Sequence, residues 1–279
     1  MLKVKPKHDL VFKSLFGDEN DKRLLTGLLR AILDNPHVEY DEITIKNPID
    51  TINYEGQKTP ILDIKLYLKS GKWINIEIQT DKKKYFKNRS LHSLCKLITN
   101  QVKRGDKNYT LSDTIVILIC DFIMKKELTH YHNMVQLFYV GTDLAFSKVT
   151  SIHVLELPKL PREHDGSTLW DYLKFIQSET EEDLQMVSLD TYGIKAGIEK
   201  LQQIIADEDL QMRMDAWDTW QRDQHCNMME AREEGHQEGL QKGERRVTFA
   251  TAKAMLIEKI PVDIIVKVTG LTKEQITSI

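Results

Sequence analysis

The spacing of apolar residues changes period several times along the chain, and each change predicts a different element. Residues 8–16 and 20–34 carry a helical period. In the second it runs through Leu24, Leu25, Leu28, Leu29 and Ile32, with Asp18 and Asn20 as capping oxygens ahead of it. Residues 38–46 alternate weakly, as a strand would. Two apolar runs, about 60–69 and 73–80, flank Ser70-Gly71 and predict a hairpin. Helical spacing returns over 84–104 through Leu91, Leu94, Leu97 and Ile98. The segment TIVILICDF (114–122) is apolar and β-branched almost throughout, which predicts a strand buried on both faces. Further strands are predicted at 134–140 and 151–157.

The segment ELPKLPREHDGS (156–167) breaks the pattern with two prolines and a glycine. Beyond it the period is helical: 169–176, 192–205, a long stretch over 211–246, and two short helices at the tail. This order predicts an α/β fold, a mixed central sheet flanked by helices, followed by an all-helical C-terminal region. The expected division is a core over 1–165, a helical extension over 166–210, and a long helix with a helix-turn-helix-like tail over 211–279. In that tail Gly270 is at the turn and Thr272 caps the last helix. Gly235, Gly239 and Gly243 recur every four residues near one helix face. They suit either self-association through the C-terminal helices, giving a homo-oligomer, or a hinge-like linker.

Composition narrows the function. The 279 residues are 41% hydrophobic and 29% charged, as in soluble globular proteins. The net charge of −3 means that nucleic-acid affinity needs a local patch. Such a patch exists. Residues 82–107 hold nine basic side chains (Lys82, Lys83, Lys84, Lys87, Arg89, Lys96, Lys103, Arg104 and Lys107) against Asp106, a net of +8. Phosphate contacts from this strip would give salt-sensitive, sequence-independent DNA binding, and Tyr85 and Phe86 lie within it. A plain solvated helix face is the competing reading. The N-terminus lacks the apolar run of a signal peptide, and Ile115–Cys120 is too short to cross a bilayer. No membrane partner is therefore expected. Three scattered cysteines, Cys95, Cys120 and Cys226, suggest a cytoplasmic protein, with Cys95 and Cys120 in the core. His130 and His132 have no partner at metal-binding spacing.

The hairpin carries the chemistry. Asp63 interrupts its first apolar run, and Glu77 and Gln79 interrupt its second, sharing one face of the strand. Lys65 shares a face with Asp63. Two carboxylates in so apolar a setting are costly without a compensating cation. A divalent ion compensates well and supports phosphodiester hydrolysis.

Asp63 followed by Glu77-Ile78-Gln79 resembles the PD-(D/E)XK nuclease motif in its E-x-Q form. With HDLVFKSLFGDEN (8–20), LDIKLYLKSGKWINIEIQ (62–79), the Arg89 helix with QVKRGDKNY (101–109), TIVILICDF and LELPKL (155–160), the chain resembles the recombination-promoting nucleases and PD-(D/E)XK putative transposases of bacteria. The resemblance covers roughly residues 5–180. It implies a restriction-endonuclease-like core and a divalent-metal-dependent DNA endonuclease, linked to recombination or mobile elements. Mg²⁺, Mn²⁺ or Ca²⁺ would be held by Asp63, Glu77 and the Ile78 carbonyl. Gln79 replaces the usual lysine and would orient water or a phosphate oxygen. Lys65 either supplies the missing charge or is a solvated strand lysine. Asp9 either completes the metal site or caps its helix. Lys82, Lys83, Lys84, Lys87 and Arg89 would meet DNA. Ser93 stands where relatives often have a tyrosine four residues after the arginine. The alternative is an inactive nuclease fold serving in DNA binding or assembly.

Overall fold

A computed structural model of the chain describes residues 1–38, 42–46, 64–102, 108 and 110–279. Asp63, the first part of the predicted hairpin (60–63) and the strip residues Lys103, Arg104 and Lys107 lie outside these. The chain forms two compact units, Met1–Gln211 and Met212–Ile279.

The first unit is built on a six-stranded sheet of order β1-β2-β3-β4-β6-β5. Its strands are β1 (Ile43–Ile45), β2 (Ile64–Leu68), β3 (Trp73–Gln79), β4 (Thr114–Cys120), β5 (His132–Phe138) and β6 (Ala145–Glu156). β3, β4 and β6 run parallel, and the outer pairs are antiparallel. The mixed sheet with helices around it is thus the architecture that the periodicities predict. The tight β2–β3 turn uses Gly71 at φ 96°, a left-handed conformation that costs glycine little.

β4 is buried at every position, as its unbroken apolar run requires. On one face, Val116, Leu118 and Cys120 join Ile152 and Val154 of β6 beneath Phe86, Leu94 and Leu97 of α3 (Phe86–Thr99). Ile115, Ile117 and Ile119 line the opposite face and are buried too. Helix α1 (Asp9–Phe16) packs against β3. α2 (Arg23–Leu33) buries the predicted stripe Leu24, Leu25, Leu28, Leu29 and Ile32. It packs against α4 (Thr168–Gln177) and, beyond the short α5 (Glu181–Gln185), α6 (Ile194–Ala206), so the helices after the proline-bearing segment complete the same unit. α2 and α4 approach closely at Gly27, where a Cβ would overlap the Tyr172 hydroxyl and lie 2.6 Å from the Tyr192 carbonyl oxygen.

Several local expectations need correction. The residue preceding α2 is Lys22, with no side-chain cap; Asp21 accepts the Arg23 N–H, and Asp18 is engaged elsewhere. Its carboxylate accepts from the Asn20 N–H and pairs with Lys200 of α6. Asp9 does not cap α1 either. It is the first helical residue, after His8, where the helix dipole favours its charge. Cys95 is exposed, and so is Leu91. α3 turns Phe86, Ser90, Leu94 and Leu97 inward, and positions 91 and 95 each lie one step, about 100°, past that stripe.

His132 pairs with His153 of β6, Nε2 to Nδ1 at 2.9 Å. Burial pushes both imidazoles down, His153 to about 4, with the neighbouring His132 adding to the shift. The folded chain therefore keeps neutral rings where an unfolded chain, with ordinary pKa near 6.5, takes up protons. Stability is full above pH ~6.5 and falls towards pH ~4, by up to about 1.4 kcal/mol per unit for the His153 ring, with His132 acting in the same direction. Urea midpoints for wild type across that window, compared with His132→Gln/His153→Gln, check this: the variant's curve is the flatter one.

In the second unit α8 (Val262–Thr269) and α9 (Lys273–Thr277) fold onto the end of α7 (Glu208–Ile257), around Ala252, Ile265, Leu271 and Ile276. Gly270 makes the left-handed turn and Thr272 forms a capping box with Gln275, as their positions predict. Gly235, Gly239 and Gly243 lie within α7 on open surface. No helix among the described residues is long and apolar enough to cross a membrane.

Candidate active site

Alternation along β3 puts Asn75, Glu77 and Gln79 on one face and Ile74, Ile76 and Ile78 on the other. In the parallel register Glu77 stands beside Leu118 and Gln79 beside Cys120, so all three polar residues face the α3 side of the sheet. Glu77 is only 3% exposed. Its Oε1 accepts from Asn75 Nδ2 at 3.0 Å. Its Oε2, equally buried, accepts no hydrogen bond from the described residues, and Arg89 Nη2 reaches no closer than 3.8 Å.

Arg89 comes from the first turn of α3, ten residues past Gln79. Its Nη2 donates to Gln79 Oε1 at 2.7 Å. One guanidinium therefore fixes the amide and half-compensates the carboxylate. The guanidinium also lies over the Phe86 ring, which anchors the start of α3 in the core. The Lys82 ammonium donates to the Ile123 carbonyl at 2.9 Å, tying the loop after β3 to the loop after β4. Lys83, Lys84 and Lys87 are exposed, and Lys84 lies over the exposed Tyr85 ring.

A second buried carboxylate on the same face shows what a structural acid looks like. Glu156 is opposite Cys120 across the β4–β6 ladder and is 1% exposed. One oxygen accepts the Met124 and Lys125 N–H groups at 2.5 and 3.3 Å, and the other meets Lys159 Nζ at 2.5 Å. Both oxygens of Glu156 are thus bonded, one to the loop after β4 and the other to Lys159. Glu77, by contrast, has one oxygen that accepts no hydrogen bond from the described residues. Between them, burial and then the Glu156 and Glu77 charges push the Cys120 thiol up to about 12, so it is inert as a nucleophile.

The structure brings together Glu77, Gln79 and Arg89 of the residues singled out in the sequence. Lys65 is directly across from Asn75 on β2, hence on the same face, and is half-buried. Asp9 opens α1, the helix that packs against β3. Asp63 lies outside the described residues. Among the described residues no three His, Cys, Asp or Glu side chains assemble as a metal-holding group. A divalent ion nevertheless fits the donor set: a desolvated carboxylate oxygen with no hydrogen bond is a hard, anionic ligand of the type such ions prefer. Asn75 is the residue missed in the sequence. Its signal is the polar alternation Asn75, Glu77, Gln79 in WINIEIQ.

A family model described as PD-(D/E)XK nuclease family transposase matches residues 6–231. The chain belongs to this family. The match takes in the sheet, the site and all helices through α6. No curated protein and no solved structure matches the chain. Nucleases of this type typically use divalent metals, and their substrate is DNA.

Proposed function

We propose that this PD-(D/E)XK protein is a divalent-metal-dependent DNA endonuclease. The observation that carries the reading is Glu77: buried, aligned by Asn75, and left with one oxygen that accepts no hydrogen bond. Asp63 and Glu77 would hold the ion, with the Ile78 carbonyl, and Asp9 from α1 would complete the set. Mg²⁺ is the expected ion, with Mn²⁺ or Ca²⁺ as alternatives. When bound, such an ion activates water and stabilises charge developing on phosphorus.

The chain's own residues do the rest. Gln79 cannot serve as the motif's cation, since an amide is neutral. Its Oε1 is held by Arg89, which leaves the two Nε2 hydrogens directed away from that bond and able to orient water or a phosphate oxygen. Arg89 brings the charge that lysine brings elsewhere, from a helix instead of the strand, and Lys65 adds charge from β2. The exposed Lys82, Lys83, Lys84 and Lys87 would track the phosphate backbone, giving binding that weakens steeply with salt.

Supercoiled plasmid incubated with the purified protein tests the reading. Nicking or linearisation with Mg²⁺ or Mn²⁺, abolished by chelator, is the expected result. No cleavage with any divalent ion would overturn it and leave a DNA-binding or assembly protein on a nuclease fold.

A further inference from the structure

The least accounted-for surface of the first unit is the β5–β6 hairpin. β6 is buried from Ser151 to Glu156, but its earlier half and all of β5 are not. Met134, Val135, Leu137, Phe138, Tyr139, Val140, Leu144 and Phe146 are each between 47% and 102% exposed. Consecutive residues among them point to opposite faces, so the hairpin is apolar on both sides. β5 is also a sheet edge, paired among the described residues with β6 alone.

Edge strands of stable monomers normally carry lysine, proline or inward charge to discourage pairing. Residues 132–150, the whole exposed hairpin, contain two charged residues of opposite sign, Asp143 and Lys148, and no arginine or proline. Nothing here attracts a phosphate backbone or a charged peptide. What suits it is a surface equally neutral and apolar, and the same hairpin of another copy has that character. The area is sufficient as well. At ~150–200 Å² per large side chain, the eight leave on the order of 800 Å² open over both faces and the tip together, the share each partner gives to a standard interface when two hairpins clasp each other from both sides.

We propose that the β5–β6 hairpin is a dimerisation surface, packed against the same hairpin of a second copy of this chain. The ladder shifts register between Val135 and Leu137 and again before Phe138. Those irregularities bend the strand, so the contact is made by side chains about a two-fold axis and closes there without open-ended strand addition. The surface is independent of Glu77 and of the cleavage reading. It is also distinct from the glycine-spaced face of α7.

Sedimentation or light scattering of the full chain at micromolar concentration tests the proposal. Wild type should have twice the 32.5 kDa chain mass. Val135→Lys/Phe138→Lys should return to the single-chain mass with unchanged circular dichroism and melting temperature. Tyr139→Lys/Val140→Lys, at the fully open tip, should at least weaken the dimer and guards against a folding defect in the first variant. A wild type that is monomeric throughout overturns the proposal. So does a dimer that persists in both variants, which would place the interface elsewhere.

Discussion

Glu77→Gln should abolish DNA cleavage while leaving the fold as stable as wild type or slightly more so. The substitution keeps the shape of the side chain, and Asn75 Nδ2 can still donate to the amide oxygen. It removes a buried charge whose second oxygen accepts no hydrogen bond, so little native stabilisation is lost. The expected rate loss is roughly 10³-fold, about 4 kcal/mol, of the size seen when a preorganised charged group is removed from a site. Plasmid cleavage rates and thermal melts on the same preparations check both halves. Glu156→Gln makes the contrast. It should destabilise the protein, because that carboxylate is bonded to two backbone N–H groups and Lys159.

Arg89→Ala should be the second most damaging change. Removing the guanidinium frees the Gln79 amide to rotate and leaves Glu77 without its nearest cation. A loss of roughly 10²-fold in cleavage is expected, in line with the removal of one positioned donor. Arg89→Lys should recover part of the charge effect but not the fixed amide, since ammonium lacks the planar fork. A role confined to DNA contact would instead raise KM with kcat unchanged and scale with salt, as expected of Lys83→Ala and Lys87→Ala. Lys65→Ala, across the ladder from Asn75, should cost far less than Arg89→Ala, because no bond fixes Lys65 to the amide that replaces the motif's lysine.

These contrasts follow from what the sequence does and does not make legible. β4 could be read directly because burial on both faces leaves no polar position to interrupt the run. Glu77 and Gln79 stood out for the opposite reason, as polar residues in a strand that otherwise wants none. Asn75 shares their alternation but is uncharged, and its bond to Glu77 is visible only in the fold. The Arg89–Gln79 bond depends on where α3 starts over the sheet, which the intervening loop decides, not any periodicity. The partners of Asp18 and His132, Lys200 and His153, come from elements far along the chain. Local rules assigned Asp18 to a cap and gave His132 no partner at metal-binding spacing. Cys95 failed by a single step of helix rotation, the limit of any reading from spacing alone.

The most direct test of the central claim is Mn²⁺ binding without DNA, followed by electron paramagnetic resonance on wild type and Glu77→Gln. The account predicts a tight site in wild type that Glu77→Gln loses while its melting temperature holds. Equal Mn²⁺ binding by the two proteins would contradict it, and would mean that the buried oxygen of Glu77 does not hold the ion.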